Sequence, residues 1–434
     1  MDEHFFLATE LLMKQAKEVR LDNQPNIQKL VMGAAASGDI ETLEHVSRIF
    51  QIEKLGRIDN PAPFYKPTPE ELYSEPKDEG ILVGRVKNTH PSIPFFIFLA
   101  WVMSHILIVG RTGCGKTTLF FWILSGLLSL NIPVIIFDRK NDFRHFLRIN
   151  NNLLVIRVRQ DFKFNPFAVP EGVDPLVWAE VVVDIICREF KILEGGRAIL
   201  LITIIELYKR FGMLSGSRNF PGLFDVIEAL KSTNIPRNSR RWQSIETLLG
   251  RLETLWAAHE KMFDCSIGFS LDEIFERPCV VFETNGLSDD MTSVFINVIL
   301  QHPYQQRLAR QERGLGLRNA IFLEEARHIL NPFINSNIGY SSIENILCEG
   351  RELGLGVIAA AQSINLNPAI HINSFVKICY SLGKGDEVKK IQTTFQLDDD
   401  QTSYLTRLNI GEAIVKIPSF KNPFCLEIPR FPLG

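Results

Sequence analysis

The run Gly110-Arg111-Thr112-Gly113-Cys114-Gly115-Lys116-Thr117 lies between the apolar segment HILIV and the helical segment TLFFWILSGLLSL, and it constrains the fold more than any other part of the chain. A glycine-rich loop that leaves a buried strand and enters a helix gathers its backbone N–H groups and the positive helix end at one point, which suits a phosphate. Gly110, Gly113 and Gly115 let the loop wrap closely, Lys116 reaches toward β- and γ-phosphates, and Thr117 offers a hydroxyl to Mg²⁺. Arg111, Thr112, Cys114 and Thr118 complete the expected contact surface, and ATP with Mg²⁺ is the cofactor set that the pattern implies. The helix after the loop is apolar all round, as expected of one buried against a sheet.

A sheet is also what the rest of the chain supplies. From Ile81 onward the runs IPFFIFL, HILIVG, PVIIFD, LLVIRV, CVVFET, AIFLEE, GVIAAAQ and VKICYSLG alternate with helical stretches, which predicts an α/β domain with a mostly parallel sheet covered on both faces. The stretch Ile93 to Val109 approaches the length of a membrane span. Pro94, Ser104 and His105 interrupt it and the phosphate loop follows at once, so two buried strands and no membrane span are predicted. Between Asn165 and about Ser270 the strand pattern stops. There Asp174-Pro175 opens a helix whose Leu176, Ala179, Val183, Ile186 and Phe190 share one face.

The resulting organisation is a helical accessory region at 1–58, a Pro- and charge-rich linker at 59–80, a first core segment at 81–169, an all-α insertion at 170–268 and a second core segment at 269–434. In the accessory region an amphipathic start is followed by a second helix before IETLEHVSRIF, capped by Ser37 or Asp39. The 434 residues suffice for two to three domains. The seven cysteines, scattered and without metal-ligand spacing, read as a reducing cytosol, and the first twenty residues lack the pattern of a signal peptide. Cytoplasmic localisation is the expectation, with membrane association only through a secretion partner.

Phosphoryl chemistry needs a second, acidic element on a neighbouring strand. Ala320-Ile321-Phe322-Leu323-Glu324-Glu325 provides four apolar residues ending in two carboxylates: Glu324 is assigned to Mg²⁺ and Glu325 to orienting or deprotonating the attacking water.

Four stretches in this order, HILIVGRTGCGKTT, PVIIFDRKNDF, AIFLEEARHIL and CEGRELGLGVIAAAQSINLNPAIHINSFVKICYSLG, resemble the HerA and FtsK superfamily of P-loop motors, which includes type IV secretion and conjugation ATPases and coupling proteins of the TraD kind. The resemblance covers about 81 to 430 and implies a RecA-like P-loop NTPase core. It implies that Gln362 senses the γ-phosphate and that Arg351 acts as an arginine finger on the adjacent subunit, with Arg313 and Arg327 as competing candidates. It further implies a homohexamer. HerA proteins begin with a small β-barrel whereas this chain begins with helices, so no accessory function carries over.

The cargo is left open by the residues themselves. A formal charge of −3 gives no global field for a polyanion, so DNA must be met by local patches. Residues 139 to 159, Arg237 to Arg241 and Arg307 to Arg318 are the basic clusters available. Three readings stand: a ring ATPase moving double-stranded DNA without sequence preference, a secretion ATPase with protein cargo, and an ATPase partner of a nuclease or other effector docked through residues 1–58.

Overall fold

The apolar runs assemble into one sheet, with strands β1 (Gly80–Val86), β2 (Pro94–Phe98), β3 (Ile106–Val109), β4 (Val134–Asp138), β5 (Leu153–Arg157), β6 (Cys279–Glu283), β7 (Asn319–Leu323), β8 (Leu355–Ala361), β9 (Val376–Cys379), β10 (Glu412–Lys416) and β11 (Phe424–Glu427). Their order across the sheet is β2-β1-β11-β10-β9-β3-β8-β7-β4-β6-β5. From β9 to β5 every pairing is parallel, and from β9 through β10, β11 and β1 to β2 every pairing is antiparallel. The structure, a computed structural model, describes residues 3–18, 25–37, 42, 44–48, 50, 63–72, 79–233, 236, 238–330, 342–383, 385–420 and 422–432.

Strands β3, β4, β6, β7 and β8 are buried along their whole length, which is why they read as unbroken apolar runs rather than alternating ones. On one face lies the helix Lys116–Ser129, whose Leu119, Phe120, Phe121, Ile123, Leu124 and Leu127 are buried. Each such side chain contributes about 1.5–3 kcal/mol when fully buried. The eight predicted runs all form strands. The stretch from Ile93 to Val109 becomes β2, a short helix Leu99–Met103 and β3. Only β3 is a buried parallel strand, however; β2 is an antiparallel edge strand buried on alternate residues. Among the described residues no helix is long and apolar enough to cross a membrane.

Helices Pro175–Glu189, Glu194–Arg210, Leu223–Lys231 and Arg240–Phe263 occupy the chain between β5 and β6. Asp174 caps the first of them by accepting from the Leu176 N–H at 2.7 Å. Its buried face is broader than the periodicity suggested, with Trp178, Val182 and Ile185 beside Ala179, Val183 and Ile186. Leu176 instead sits 40% exposed, in the first turn.

Residues 1–64 and 65–434 form two compact units. In the first, helices Glu3–Glu18 and Pro25–Ser37 and a helical stretch at 44–48 contribute to a small cluster of Leu12, Ala16, Val31, Val46 and Phe50. Ser37 ends a helix rather than opening one, because the preceding VMGAAA run is itself helical; Asp39 lies outside the described residues. In the second unit, part of the Pro-rich stretch packs against the sheet: Tyr65 bridges to Phe424, and Leu72 is buried in the main core.

Candidate nucleotide site

The phosphate loop emerges from β3 between the two strands that flank it. Gly110 N–H donates to Ala361 O at the end of β8, and Arg111 N–H donates to Ser381 O just past β9, both at 3.1 Å. Gly115 stands at φ +116°, a left-handed conformation that a side chain would strain, and this turn starts the helix at Lys116. At Gly110 a Cβ would come within 2.6 Å of Tyr380 Cβ, so the close approach of loop to sheet needs glycine there. The buried Tyr380 also donates its hydroxyl to Gly115 O at 3.3 Å. The Lys116 ammonium donates to Gly110 O at 2.5 Å and Arg111 O at 2.9 Å. Burial, together with the nearby Lys140, holds it below the usual lysine range. A cation held by two loop carbonyls can exchange those bonds for phosphate oxygens.

Glu324 and Glu325 leave the end of β7. That strand is one removed from β3: β8 lies between them, and Gln362, just past the end of β8, reaches both sides. Thr112 Oγ1 donates to Gln362 Oε1 at 3.2 Å, and Gln362 Nε2 donates to Glu325 Oε2 at 3.0 Å. Glu324 is 4% exposed. Burial, a hydrogen bond with Asp138 and that residue's charge push its carboxyl up to about 8, against the pull of Lys140.

Lys140 was read in the sequence only as part of a basic cluster. Its ammonium lies 3.1 Å from Glu324 Oε1 and 3.4 Å from Glu325 Oε2. Partial burial lowers its affinity for a proton, but the two carboxylates more than offset this and raise it. Asp138, at the end of β4, fixes the turn carrying Lys140 by accepting from the N–H groups of Lys140, Asn141 and Phe143. The signal was present in the acidic end of PVIIFD followed at once by RKND.

A cavity of about 440 Å³ is lined by Thr112, Gly113, Gly115, Lys116, Thr117, Thr118, Lys140 and Glu324 from the phosphate end. Ile410, Arg430 and Phe431 line it as well. These three lie beyond any motif. Gly411 N–H donates to Cys114 O at 3.1 Å, Trp122 Nε1 donates to Pro429 O at 2.9 Å, and the Phe431 ring packs edge-on against Trp122. Of the residues assigned from sequence, Gly110, Arg111 and Cys114 shape the loop through their backbone, and Gln362 and Glu325 join it through the hydrogen bonds above. Arg351 is not brought here. It precedes β8, at the end of the sheet opposite Gln362.

These residues fit a Mg²⁺-nucleoside triphosphate. Glu324 Oε2 and Glu325 Oε1 are buried without hydrogen-bond partners among the described residues. No group of three or more His, Cys, Asp or Glu among them forms a metal cage of its own. A magnesium ion held by one hydroxyl, one carboxylate and phosphate oxygens needs no such cage.

The family described as "Helicase HerA, central domain" matches residues 81–302, about half of the sequence. The chain belongs to this family, of HerA/FtsK-type P-loop ATPases. It is 22% identical over 368 residues to the DNA double-strand break repair helicase HerA of Sulfolobus acidocaldarius, the alignment covering 83% of this chain and 72% of that one. It is also 22% identical to a protein of Methanocaldococcus jannaschii named as a probable helicase, covering 75% of this chain and 62% of its relative. Among solved structures the fold is similar to VirB4 of Thermoanaerobacter pseudethanolicus, with TM-score 0.66, 16% identity and coverage of 82% and 98%. The plasmid coupling protein TrwB, in complex with ADP and Mg²⁺, matches with TM-score 0.61, 14% identity and coverage of 85% and 95%. The core is thus RecA-like.

Proposed function

We propose that the protein is a ring-forming ATPase that hydrolyses ATP at subunit interfaces and translocates double-stranded DNA through a central pore. The observation that supports the catalytic part is the continuous link Thr112–Gln362–Glu325, which ties the phosphate loop to the Glu325 carboxylate. Lys116 and the loop N–H groups bind the β- and γ-phosphates. Thr117 and Glu324 would hold Mg²⁺, which would supply positive charge to the phosphates. Glu325 accepts the proton of the attacking water, and Gln362 holds Glu325 and responds to the presence of the γ-phosphate. Ile410, Arg430 and Phe431 bound the base and ribose end.

The DNA part draws on family membership and on the named activity of the Sulfolobus relative. Six-fold assembly, a cytoplasmic setting, and an effector or nuclease docked through residues 1–58 belong to the same proposal. Phosphate release measured with and without duplex DNA tests it, using Lys116→Ala as the blank. Turnover that is absent in Lys116→Ala and stimulated by duplex supports the reading. Turnover indifferent to DNA but raised in membrane fractions would favour protein cargo instead.

A further inference from the structure

The basic clusters that stand out in the sequence are largely engaged within the fold. Arg139 pairs with Asp289, Arg144 with Glu283, Arg157 with Asp161 and Arg313 with Glu352. Arg310 lies 3.7 Å from Glu171, and Arg307 donates to Leu353 O and to Asn319. Arg237 lies outside the described residues. A different surface is left with unspent positive charge. Beyond Gln362, the loop at Ser363–Leu366 forms one wall of an open cleft of about 630 Å³, and the helix Asp386–Phe395 forms the other.

The cleft is lined by Lys389, Lys390, Thr393, Thr394, His371 and Asn365 together with apolar Ile364 and Leu366, with no carboxylate among the described lining residues. In a chain of net charge −3 that composition departs from the average surface. Lys389 has no ion pair or side-chain hydrogen bond among the described residues, and Lys390 is bonded only to the neutral amide oxygen of Asn365. Asp386 and Glu387 stand in the first turn of the helix, where Glu387 accepts from the Ser363 hydroxyl and neither pairs with Lys389 or Lys390 among the described residues. His371 Nδ1 is buried without a partner among the described residues. Burial holds that imidazole below the usual histidine range against the pull of the Ile364 and Leu366 backbone, and the charges of Lys377 and Lys390 add to the lowering.

The geometry points to this cleft as a contact surface for the phosphodiester backbone of duplex DNA, through Lys389 and Lys390. Two ammonium groups and hydroxyls, with no aromatic face to stack a base, grip phosphates without reading sequence. Its walls continue from the ends of β8 and β9, the two parallel strands that flank the phosphate-loop strand β3, so the surface stands at the same end of the strands as the nucleotide site. Ser363, which ties the two walls through Glu387, directly follows Gln362.

This inference rests on the DNA reading above, and one experiment separates the two. Fluorescence anisotropy with a labelled duplex, Mg²⁺ and a non-hydrolysable ATP analogue is followed from about 50 to 200 mM NaCl. The double variant Lys389→Ala/Lys390→Ala should bind more weakly, with the slope of log affinity against log salt reduced by about 1.8, at roughly 0.9 per lost phosphate contact. Lys389→Arg/Lys390→Arg should retain the wild-type slope, and unchanged thermal midpoints certify both folds. If wild type binds duplex and the alanine pair matches its slope and affinity, the surface is wrong while the DNA reading stands. An arginine pair as weak as the alanine pair would overturn the charge argument. Failure of wild type to bind duplex even at low salt would bring down the DNA reading and this surface with it.

Discussion

Gln362 Nε2 donates to Glu325 Oε2 at 3.0 Å while its Oε1 accepts from Thr112 at 3.2 Å, so a single amide spans from the phosphate loop to the acid at the end of β7. A phosphate that took Thr112 as a partner would loosen Gln362 and, through that one side chain, act on Glu325. Glu325→Gln should therefore retain ATP but lower turnover by about 10²–10⁴, the range for losing a general base. Gln362→Ala should also bind ATP within a few-fold of wild type and turn over more slowly. Fluorescent-nucleotide titration and single-turnover phosphate release measure the two quantities separately. A stalled Glu324→Gln with Mg²⁺ binding intact, beside an active Glu325→Gln, would mean that the two carboxylates have exchanged roles.

Lys140 holds both of those carboxylates, at 3.1 and 3.4 Å. Removing one partner of a buried pair costs about 3–5 kcal/mol. Here Lys140 is 41% exposed and Glu324 can take up a proton, so about 1–2 kcal/mol is expected for Lys140→Met. The nucleotide-free variant should melt earlier, and MgCl₂ alone should raise its midpoint by more than it raises that of wild type. Equal Mg²⁺ responses would show that Lys140 does not offset the carboxylate charge.

Much of this was legible because the parallel strands are buried on both faces and therefore appear as plain apolar runs, from HILIVG to GVIAAAQ. The antiparallel strands β1, β10 and β11 were not picked out, because GILVGRV, EAIVK and FCLE are short and lack the strand–helix alternation. The phosphate loop, Glu324, Glu325 and Gln362 are each adjacent to such a run, so a strand end marked them. Lys140 was hidden by its basic neighbours Arg139 and Arg144, and the role of a lysine depends on which carboxylate it meets. Ile410 and Phe431 had no signal at all: they reach the cavity because β10 folds back beside β9 and β11 beside β10.

The segment Ile428–Phe431 should matter to affinity more than to chemistry. Phe431 packs on Phe121, Trp122 and Phe146 and presents its remaining surface to the cavity. Phe431→Ala should weaken nucleotide binding by roughly 5- to 30-fold, the equivalent of about 1–2 kcal/mol of aromatic contact. Single-turnover rates at saturating ATP should change much less. Trp122 fluorescence on nucleotide addition offers a direct titration, and an unaltered Kd would remove Phe431 from the site.

Glu189 gives the fold a pH dependence of definite sign. Burial pushes its carboxyl from 4.5 up to about 7, with a hydrogen bond from Ser293 acting the other way. The folded state prefers the neutral acid, so the stability tied to this group is complete below 4.5 and is lost as pH rises through 7. Glu189→Gln does not titrate. Its stability advantage over wild type should grow by about 2 kcal/mol between pH 5.5 and pH 8 in urea unfolding. An advantage independent of pH would mean that Glu189 stays ionised in the fold.

Arg351 tests assembly and chemistry together. It precedes β8, and Gln362 follows the far end of that seven-residue strand, so the two lie roughly 20 Å apart along the sheet. The Arg351 charge acts instead on the buried His105, beside the start of β3, where burial and that charge hold the imidazole down at about 4. Within one chain this guanidinium therefore has no path to its own phosphate loop. If Arg351 serves as a finger, it therefore acts on the γ-phosphate of a neighbouring copy, and such a group is worth about 10³–10⁵ in rate. Arg351→Ala should accordingly bind ATP normally and hydrolyse it far more slowly. Mixing it with excess Lys116→Ala protein, whose site is dead but whose finger is intact, should restore part of the activity in hybrid rings once subunits exchange. Full activity of Arg351→Ala alone would move attention to Arg313 or Arg327. Loss without rescue, with exchange demonstrated by labelled subunits, would assign Arg351 to holding the turn before β8 instead.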